Sequence, residues 1–135
     1  MSDSLSILHI EDDFADAMLL QQAVCDAGAF DLELEVARTL SDAKVKLAKR
    51  TYDLIVLDLR LPDSVSPEQT MSHARQWSKG TPILVLTGSA KVDAELFGGE
   101  VQILDKNEWF AGKTPEAHSA LLQRLREAAE DTLLI

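Results

Sequence analysis

Short apolar runs alternate with longer segments in which apolar residues recur every three or four positions, and this alternation repeats five times along the chain. Short apolar runs bounded by polar residues are typical of buried strands, whereas the longer spacing indicates helices with one buried face. The predicted strands cover about residues 6–11, 32–37, 53–58, 83–87 and 101–105. Strands that alternate with helices favour an α/β fold with a parallel, doubly wound sheet.

The second and third predicted strands differ in their pattern. Leu32–Ala37 alternates apolar residues with Glu33 and Glu35, which predicts an edge strand with one face in water. The stretch Leu54–Leu57 is wholly apolar, which predicts a strand at the centre of the sheet.

Helix signals lie between these strands. Ser66-Pro67 and Thr114-Pro115 each put a hydroxyl cap before a proline at the first helical position, which predicts where the third and last helices begin. The first helix, about 15–27, is expected to end at Gly28. The apolar residues that follow helical spacing in it, and that should form its buried face, are Ala15, Met18, Leu19, Ala23 and Val24.

Reactive side chains lie at or just beyond the ends of four predicted strands. In chain order they are Glu11, Asp12, Asp13, Asp58, Thr87 and Lys106. Because ligands of open α/β sheets bind outside the carboxyl ends of the strands, we expect these groups to converge on one edge. Carboxylates, a hydroxyl and an ammonium together suit a divalent cation and a phosphoryl group.

The order of these groups, an acidic pair, an Asp, a Thr and a Lys, resembles the receiver domain of two-component response regulators, in particular the single-domain, chemotaxis-receiver-like type. The resemblance covers about residues 5–129, and we expect residues 1–135 to form a single receiver domain. It implies a flavodoxin-like, doubly wound sheet of five parallel strands in the order 2-1-3-4-5, with helices on both faces.

The resemblance also implies a role for each reactive residue. Asp58 is expected to be the phosphoacceptor, and Thr87 and Lys106 to bind the phosphoryl group and switch the protein. The family carries an aromatic switch residue three positions before the lysine, where this chain has Ile103. The family also commonly has a proline after the lysine, where this chain has Asn107.

A Mg²⁺ site is implied by the same resemblance. The expected ligands are the carboxylates of Glu11, Asp12 and Asp58 and the backbone carbonyl of Arg60. Asp13 is expected to be a helix N-terminal acid or an outer-shell group that reaches the cation through water.

Composition limits the remaining functions. The net charge of −10 disfavours direct binding to nucleic acid, and no apolar run is long enough for insertion into a membrane. Cys25 is the only cysteine and is expected to fill a small space in the core. These features favour a cytoplasmic protein. His9, His73 and His118 lack a supporting motif for phosphotransfer.

The expected function is that of a response regulator receiver. A sensor histidine kinase or a His-phosphotransfer protein would phosphorylate Asp58, and the changed surface would act on a downstream protein target. We expect no enzyme activity beyond the protein's own phosphorylation and dephosphorylation. The segment from Thr87 to Lys106 is about three residues shorter than in the family, so the fourth helix, near 92–97, should lose nearly a turn.

Three alternatives remain open from the sequence. Ile103 and the short fourth helix favour an interaction module that works without phosphorylation. The apolar ending Leu133-Leu134-Ile135 is compatible with a receiver fragment of a longer multidomain regulator. A phosphatase of the haloacid-dehalogenase type is disfavoured, because it requires a second Asp where this chain has Arg60.

Overall fold

The computed structural model describes residues 4–28, 31–99, 101–111 and 114–130. In these parts of the chain the elements are β1 (Leu5–Ile10), α1 (Phe14–Asp26), β2 (Leu32–Ala37), α2 (Leu40–Lys49), β3 (Leu54–Leu57), α3 (Pro67–Ser78), β4 (Ile83–Thr87), α4 (Ala90–Phe97), β5 (Gln102–Asp105), α5 (Lys106–Trp109) and α6 (Pro115–Ala129). The strands form one parallel sheet in the order β2-β1-β3-β4-β5, which confirms the predicted fold.

Two hydrophobic cores cover the two faces of the sheet. Helices α1 and α6 pack on one face, where Leu20, Leu121 and Leu125 contact inward residues of β1, β3 and β4. Helices α2 and α3 pack on the other face through residues such as Leu47 and Met71. Every residue of β3 is buried because helices cover it on both sides, as the wholly apolar pattern predicted.

The strand β2 lies at the edge of the sheet, as its alternating pattern predicted. Its glutamates face outward and are held by polar partners. The guanidinium of Arg50 donates to Glu33 at 2.8 Å, and the hydroxyl of Tyr52 donates to Glu35 at 2.7 Å. These charged side chains discourage a further strand from pairing with this edge.

The predicted buried face of α1 is partly wrong. Ala23 and Val24 are buried, but Ala15 is exposed and 51% of Met18 is accessible to solvent. Leu20 is fully buried instead. Leu20, Ala23 and Val24 satisfy the same spacing of three and four, and the sheet lies on their side of the helix.

The prediction for Cys25 is also wrong, since its side chain is exposed. Cys25 follows the buried Val24 by one residue, and one residue rotates about 100° around a helix of 3.6 residues per turn. The side chain therefore leaves the core.

The predicted helix starts are confirmed by their caps. The hydroxyl of Ser66 accepts from the backbone N–H of Gln69 at 3.1 Å, and that of Thr114 accepts from the backbone N–H of Ala117 at 3.1 Å.

The fourth helix is short, with eight residues, although it begins two residues before the predicted start. No described peptide bond is cis. Within the described residues no helix is long and apolar enough to cross a bilayer.

The one-turn helix α5 was not predicted. It begins at Lys106, directly after β5, and the Asp105 carboxylate accepts from the N–H of Asn107 at 2.9 Å. A single turn is too short to produce a helical pattern in the sequence, and its start is set by this local cap.

Candidate functional site

Three carboxylates meet at the carboxyl ends of β1 and β3. The two strands are neighbours in which Ile10 lies opposite Leu57, and the N–H of Asp58 donates to the carbonyl of Ile10 at 2.9 Å. This register brings Glu11 and Asp12 beside Asp58. Each contributes one carboxylate oxygen to a group in which all three oxygens lie within 4.8 Å of one another.

The environment of this cluster suits a hard cation. Glu11 is fully buried, Asp58 is 8% exposed and Asp12 is half-buried. Burial, followed by the hydrogen bond to Asp58, raises the pKa of Glu11 to about 8. A divalent cation would favour the ionised form of all three groups, and oxygen ligands are those that Mg²⁺ prefers.

Asp13 begins α1 as its N-cap. Its carboxylate accepts from the N–H of Asp16 at 3.1 Å, while its own N–H donates to Glu11 at 3.3 Å. The expectation of a helix N-terminal acid is therefore met. The cluster of carboxylates within 4.8 Å consists of its neighbours Glu11 and Asp12 with Asp58.

The ammonium of Lys106 lies among three carboxylates. Its Nζ is 2.6 Å from Glu11 Oε1, 2.9 Å from Asp16 Oδ2 and 3.2 Å from Asp58 Oδ2. Burial alone would lower the pKa of Lys106, but these neighbours outweigh burial and raise it above its usual value. The lysine is therefore charged and held beside the carboxylate of Asp58.

Asp16 is a site residue that the sequence analysis missed. It lies three residues after Asp13 on the first turn of α1, close to the ends of β1 and β3. An acid at this position of a capping sequence could have indicated it, because side chains three apart lie on the same face of a helix.

Thr87 ends β4 with its side chain almost fully buried. Its Oγ1 accepts from the N–H of Ser89 at 3.0 Å and from Nη1 of Arg60 at 3.3 Å. The hydroxyl proton is not used in either bond and is available for another acceptor. A cleft of about 510 Å³ opens between Thr87, Asp58, Arg60 and Lys106.

The side chain of Arg60 makes a second unpredicted contact. Its Nη1 and Nη2 each lie 2.9 Å from one carboxylate oxygen of Asp93 in α4, which is a bidentate pair. Asp93 is fully buried, whereas 43% of the Arg60 side chain is exposed. The sequence predicts a role only for the backbone carbonyl of Arg60. Arg60 and Asp93 are 33 positions apart in the sequence, so no local sequence pattern indicates that they pair.

Ile103 lies on β5 opposite Val85 of β4. It is partly buried and packs against the core on the α2 and α3 face. The side-chain amide of Asn107 donates to the carbonyl of Gly88 at 3.3 Å, which joins the loop after β4 to α5. The hydrogen bond between Asn107 and Gly88 therefore links the residue after Lys106 to the residue after Thr87, and the aliphatic Ile103 takes no part in it.

His9 is fully buried in β1, and no hydrogen-bond partner for either ring nitrogen is found among the described residues. Burial, followed by the charge of Lys106, lowers the pKa of His9 to about 3, so the ring is neutral. A buried neutral ring is inaccessible to a partner's phosphoryl group, which agrees with the absence of a phosphotransfer motif.

Comparison with known proteins relates this geometry to a family. The profile of the response regulator receiver domain matches residues 7–108. The chain is 33% identical over 96 residues to the autoinducer 2 sensor kinase/phosphatase LuxQ of Vibrio harveyi, covering 70% of this chain and 11% of that protein. It is 34% identical over 93 residues to the cell cycle transcriptional regulator CtrA of Caulobacter vibrioides, covering 68% of this chain and 38% of that protein. The chain thus spans well under half the length of these relatives.

Solved structures agree in fold. A CheY-like receiver domain protein of Methanospirillum hungatei superposes with a TM-score of 0.71 and 22% identity, covering 96% of this chain and 97% of that one. The chemotaxis response regulator CheY4 of Vibrio cholerae superposes with a TM-score of 0.66 and 25% identity, covering 90% and 98%. Together with the matched family profile, these findings lead to one conclusion. The chain belongs to the response regulator receiver domain family.

Proposed function

We propose that the protein is a phosphorylation-controlled switch in which Asp58 accepts a phosphoryl group from a phosphohistidine donor with Mg²⁺ bound. The observation that carries this proposal is the position of Asp58. Its carboxylate lies between the acidic pair Glu11 and Asp12 on one side and Lys106 on the other, and opens into the cleft.

The residues divide the chemistry between them. Asp58 attacks as the carboxylate, so that an O–P bond forms while the N–P bond to the donor's imidazole breaks and its electron pair returns to nitrogen. Lys106 would bind one phosphoryl oxygen as a point charge, and the hydroxyl group of Thr87 would donate a hydrogen bond to another. Water then attacks phosphorus, releases inorganic phosphate and restores the Asp58 carboxylate.

The expected cation ligands are Glu11, Asp12, Asp58 and the carbonyl of Arg60. The cation, when bound, neutralises charge on the nucleophile and on the phosphoryl oxygens. A receiver domain of a sensor histidine kinase from Pseudomonas aeruginosa, with a TM-score of 0.66 and 20% identity, contains a magnesium ion coordinated in its active-site cleft. That structure and the oxygen-rich cluster of this chain support the same ion here.

The proposed donor is a sensor histidine kinase or a His-phosphotransfer protein, and the site of action is the cytoplasm. The relatives support a signalling context, because one is a sensor kinase and another a transcriptional regulator. The downstream partner is proposed to be a protein that reads the surface changed by phosphorylation.

The test is phosphorylation by a small phosphodonor. The protein is incubated with acetyl phosphate and Mg²⁺, and its intact mass is measured. One added phosphoryl group is expected in the parent protein, and none in Asp58→Asn or in the presence of EDTA. An unchanged mass of the parent protein, with the fold intact by circular dichroism, would contradict the proposal.

An unchanged mass would favour the second candidate, an interaction module independent of phosphate. The observation that favours it is that Lys106 already forms ion pairs with Glu11, Asp16 and Asp58, so the site holds a protein cation without any ligand. The haloacid-dehalogenase alternative has no support, because the Arg60 side chain occupies the required position and is held by Asp93.

A further inference from the structure

Helix α4 buries one side chain, and that side chain is held by an ion pair. Within Ala90–Phe97, all of which the structure describes, Asp93 is the only buried residue. More than half of Val92 and 43% of Leu96 are exposed, and Phe97 is partly buried against the core. By contrast, α3 and α6 each bury four residues. The position of α4 therefore depends strongly on the partner of Asp93.

That partner, Arg60, also borders the phosphorylation site. Its backbone N–H donates to Asp58 at 3.0 Å, and its Nη1 lies 3.3 Å from Oγ1 of Thr87. Arg60, Asp58, Thr87 and Lys106 line the same cleft. One guanidinium thus faces the buried carboxylate of α4 on one side and the position of an incoming phosphoryl group on the other.

We propose that Arg60 couples phosphorylation to α4: it holds the helix through Asp93 when Asp58 is free, and turns to a phosphoryl oxygen when Asp58 is phosphorylated. The inference rests on the proposed phosphorylation of Asp58 and assigns a positioning role to a residue outside the acid, Asp, Thr and Lys set. The aliphatic Ile103 cannot perform this exchange, because it has no polar group.

The chemistry of both partners supports the exchange. The fork of a guanidinium fits carboxylate and phosphate equally, and a phosphoryl group brings a charge of about −1.5 to −2 against one negative charge on Asp93. Once Arg60 turns away, Asp93 is a buried carboxylate without its cation, which is strongly unfavourable. The helix then relieves the penalty by moving Asp93 toward water. Gly98 and Gly99 follow the helix with positive φ angles of 60° and 83°.

Hydrogen exchange at amides 90–97 tests the inference, with and without beryllofluoride and Mg²⁺ as the phosphoryl mimic. In the parent protein, the mimic should accelerate exchange of α4 by about tenfold, since local opening reports the lost anchor. In Asp93→Asn, exchange without the mimic should already be faster by about tenfold, and the mimic should add less than about twofold. Arg60→Lys, which keeps the charge but loses the fork, should lie between these cases.

The matched control is Glu95→Gln, which removes one exposed carboxylate from the same helix and should respond to the mimic like the parent. Exchange in α6 reports global stability and should stay unchanged in all variants. Binding of the mimic is followed separately by fluorine NMR. An additional variant, Arg60→Met with Asp93→Leu, replaces the ion pair by an apolar contact and should leave α4 protected whether or not the mimic binds.

The outcomes separate the two proposals. If the mimic does not bind the parent protein, the proposed phosphorylation fails, and the coupling fails with it. If the mimic binds but α4 exchange is unchanged, or if it accelerates α4 equally in Asp93→Asn and the parent, only the role of Arg60 is refuted. Faster exchange in α6 of Asp93→Asn, equal to that in α4, would likewise refute a local anchor and indicate a general loss of stability.

Discussion

The ammonium of Lys106 lies 2.6 Å from Oε1 of Glu11, a carboxylate that is fully buried at the end of β1. The residues are far apart in sequence and meet because β1 and β5 belong to one parallel sheet. This pair means that the acidic cluster already has a protein cation close to it. We therefore expect Lys106 and a metal ion to compete for the same carboxylates.

Removing Lys106 is expected to strengthen Mg²⁺ binding. Lys106→Met frees Glu11 and Asp58 from an ammonium at 2.6 and 3.2 Å, and removes a positive charge that repels the cation. We expect the Mg²⁺ affinity to rise by about tenfold. This change corresponds to a modest part of the interaction energy of two charges that lie close together near a protein surface. Calorimetric titration with Mg²⁺ measures it, with Lys91→Met, an exposed lysine of α4, as the control. An equal or weaker affinity in Lys106→Met would contradict this competition.

Neighbouring acids at the end of β1 should differ in their contribution to the metal site. Asp12→Asn is expected to lower Mg²⁺ affinity by more than about tenfold, because the ion loses one of the few carboxylates that such a site provides. Asp13→Asn removes the same charge one residue later and keeps a good helix cap, so its affinity should stay within about threefold of the parent. The same titration compares them. Equal losses in the two variants would mean that net charge, rather than coordination, governs binding.

Asp63 is expected to stabilise the protein in a pH-dependent way. Its carboxylate accepts from the N–H groups of Leu40 and Ser41 at 2.9 and 3.0 Å, at the start of α2. Partial burial alone would raise the pKa of Asp63, but these hydrogen bonds outweigh it and lower the pKa below its ordinary value of 3.8. A lowered acid pKa means that the stabilisation is complete above 3.8 and is lost as the pH falls through the folded-state value.

Asp63→Ala should therefore lower the free energy of unfolding by roughly 1 kcal/mol at neutral pH, the usual size of a helix-capping interaction. The difference from the parent should be constant from about pH 6 to about pH 4 and should shrink as the pH falls further, towards about pH 2. Urea unfolding across this range measures it, and Glu68→Gln, an exposed acid of α3, is the control. A difference that is constant with pH would show that the charge of Asp63 contributes nothing.

The two faces of α1 provide a direct test of its packing. Leu20→Ala removes a fully buried side chain from the core under α1 and should cost about 2–5 kcal/mol of unfolding free energy. Met18→Ala, on the same helix but 51% exposed, should change it by less than about 0.5 kcal/mol. Urea unfolding compares the two. If Met18→Ala lowered the free energy of unfolding more than Leu20→Ala, the buried face of α1 would be the one that the sequence pattern predicted.

The sheet and the identity of the strand-end residues can be predicted from the sequence alone. Apolar runs mark strands because a strand covered on both faces must be apolar throughout, and Ser66-Pro67 marks a helix start because its cap is satisfied within one turn. Such signals depend only on neighbouring residues, so they can be recognised in the sequence before the fold is known. The sequence resembles that of a receiver domain because Glu11, Asp58 and Lys106 each follow a recognisable strand.

Contacts between distant elements cannot be predicted from the sequence and become visible in the folded protein. The helical spacing in α1 is satisfied equally by Met18 and by Leu20, and only the position of the sheet selects Leu20. Asp16 reaches Lys106, and Asp93 reaches Arg60, across separations of 90 and 33 residues. An acid in a helix is ordinary in sequence. It becomes a partner only when folding brings an opposite charge beside it and removes the water that would otherwise solvate both.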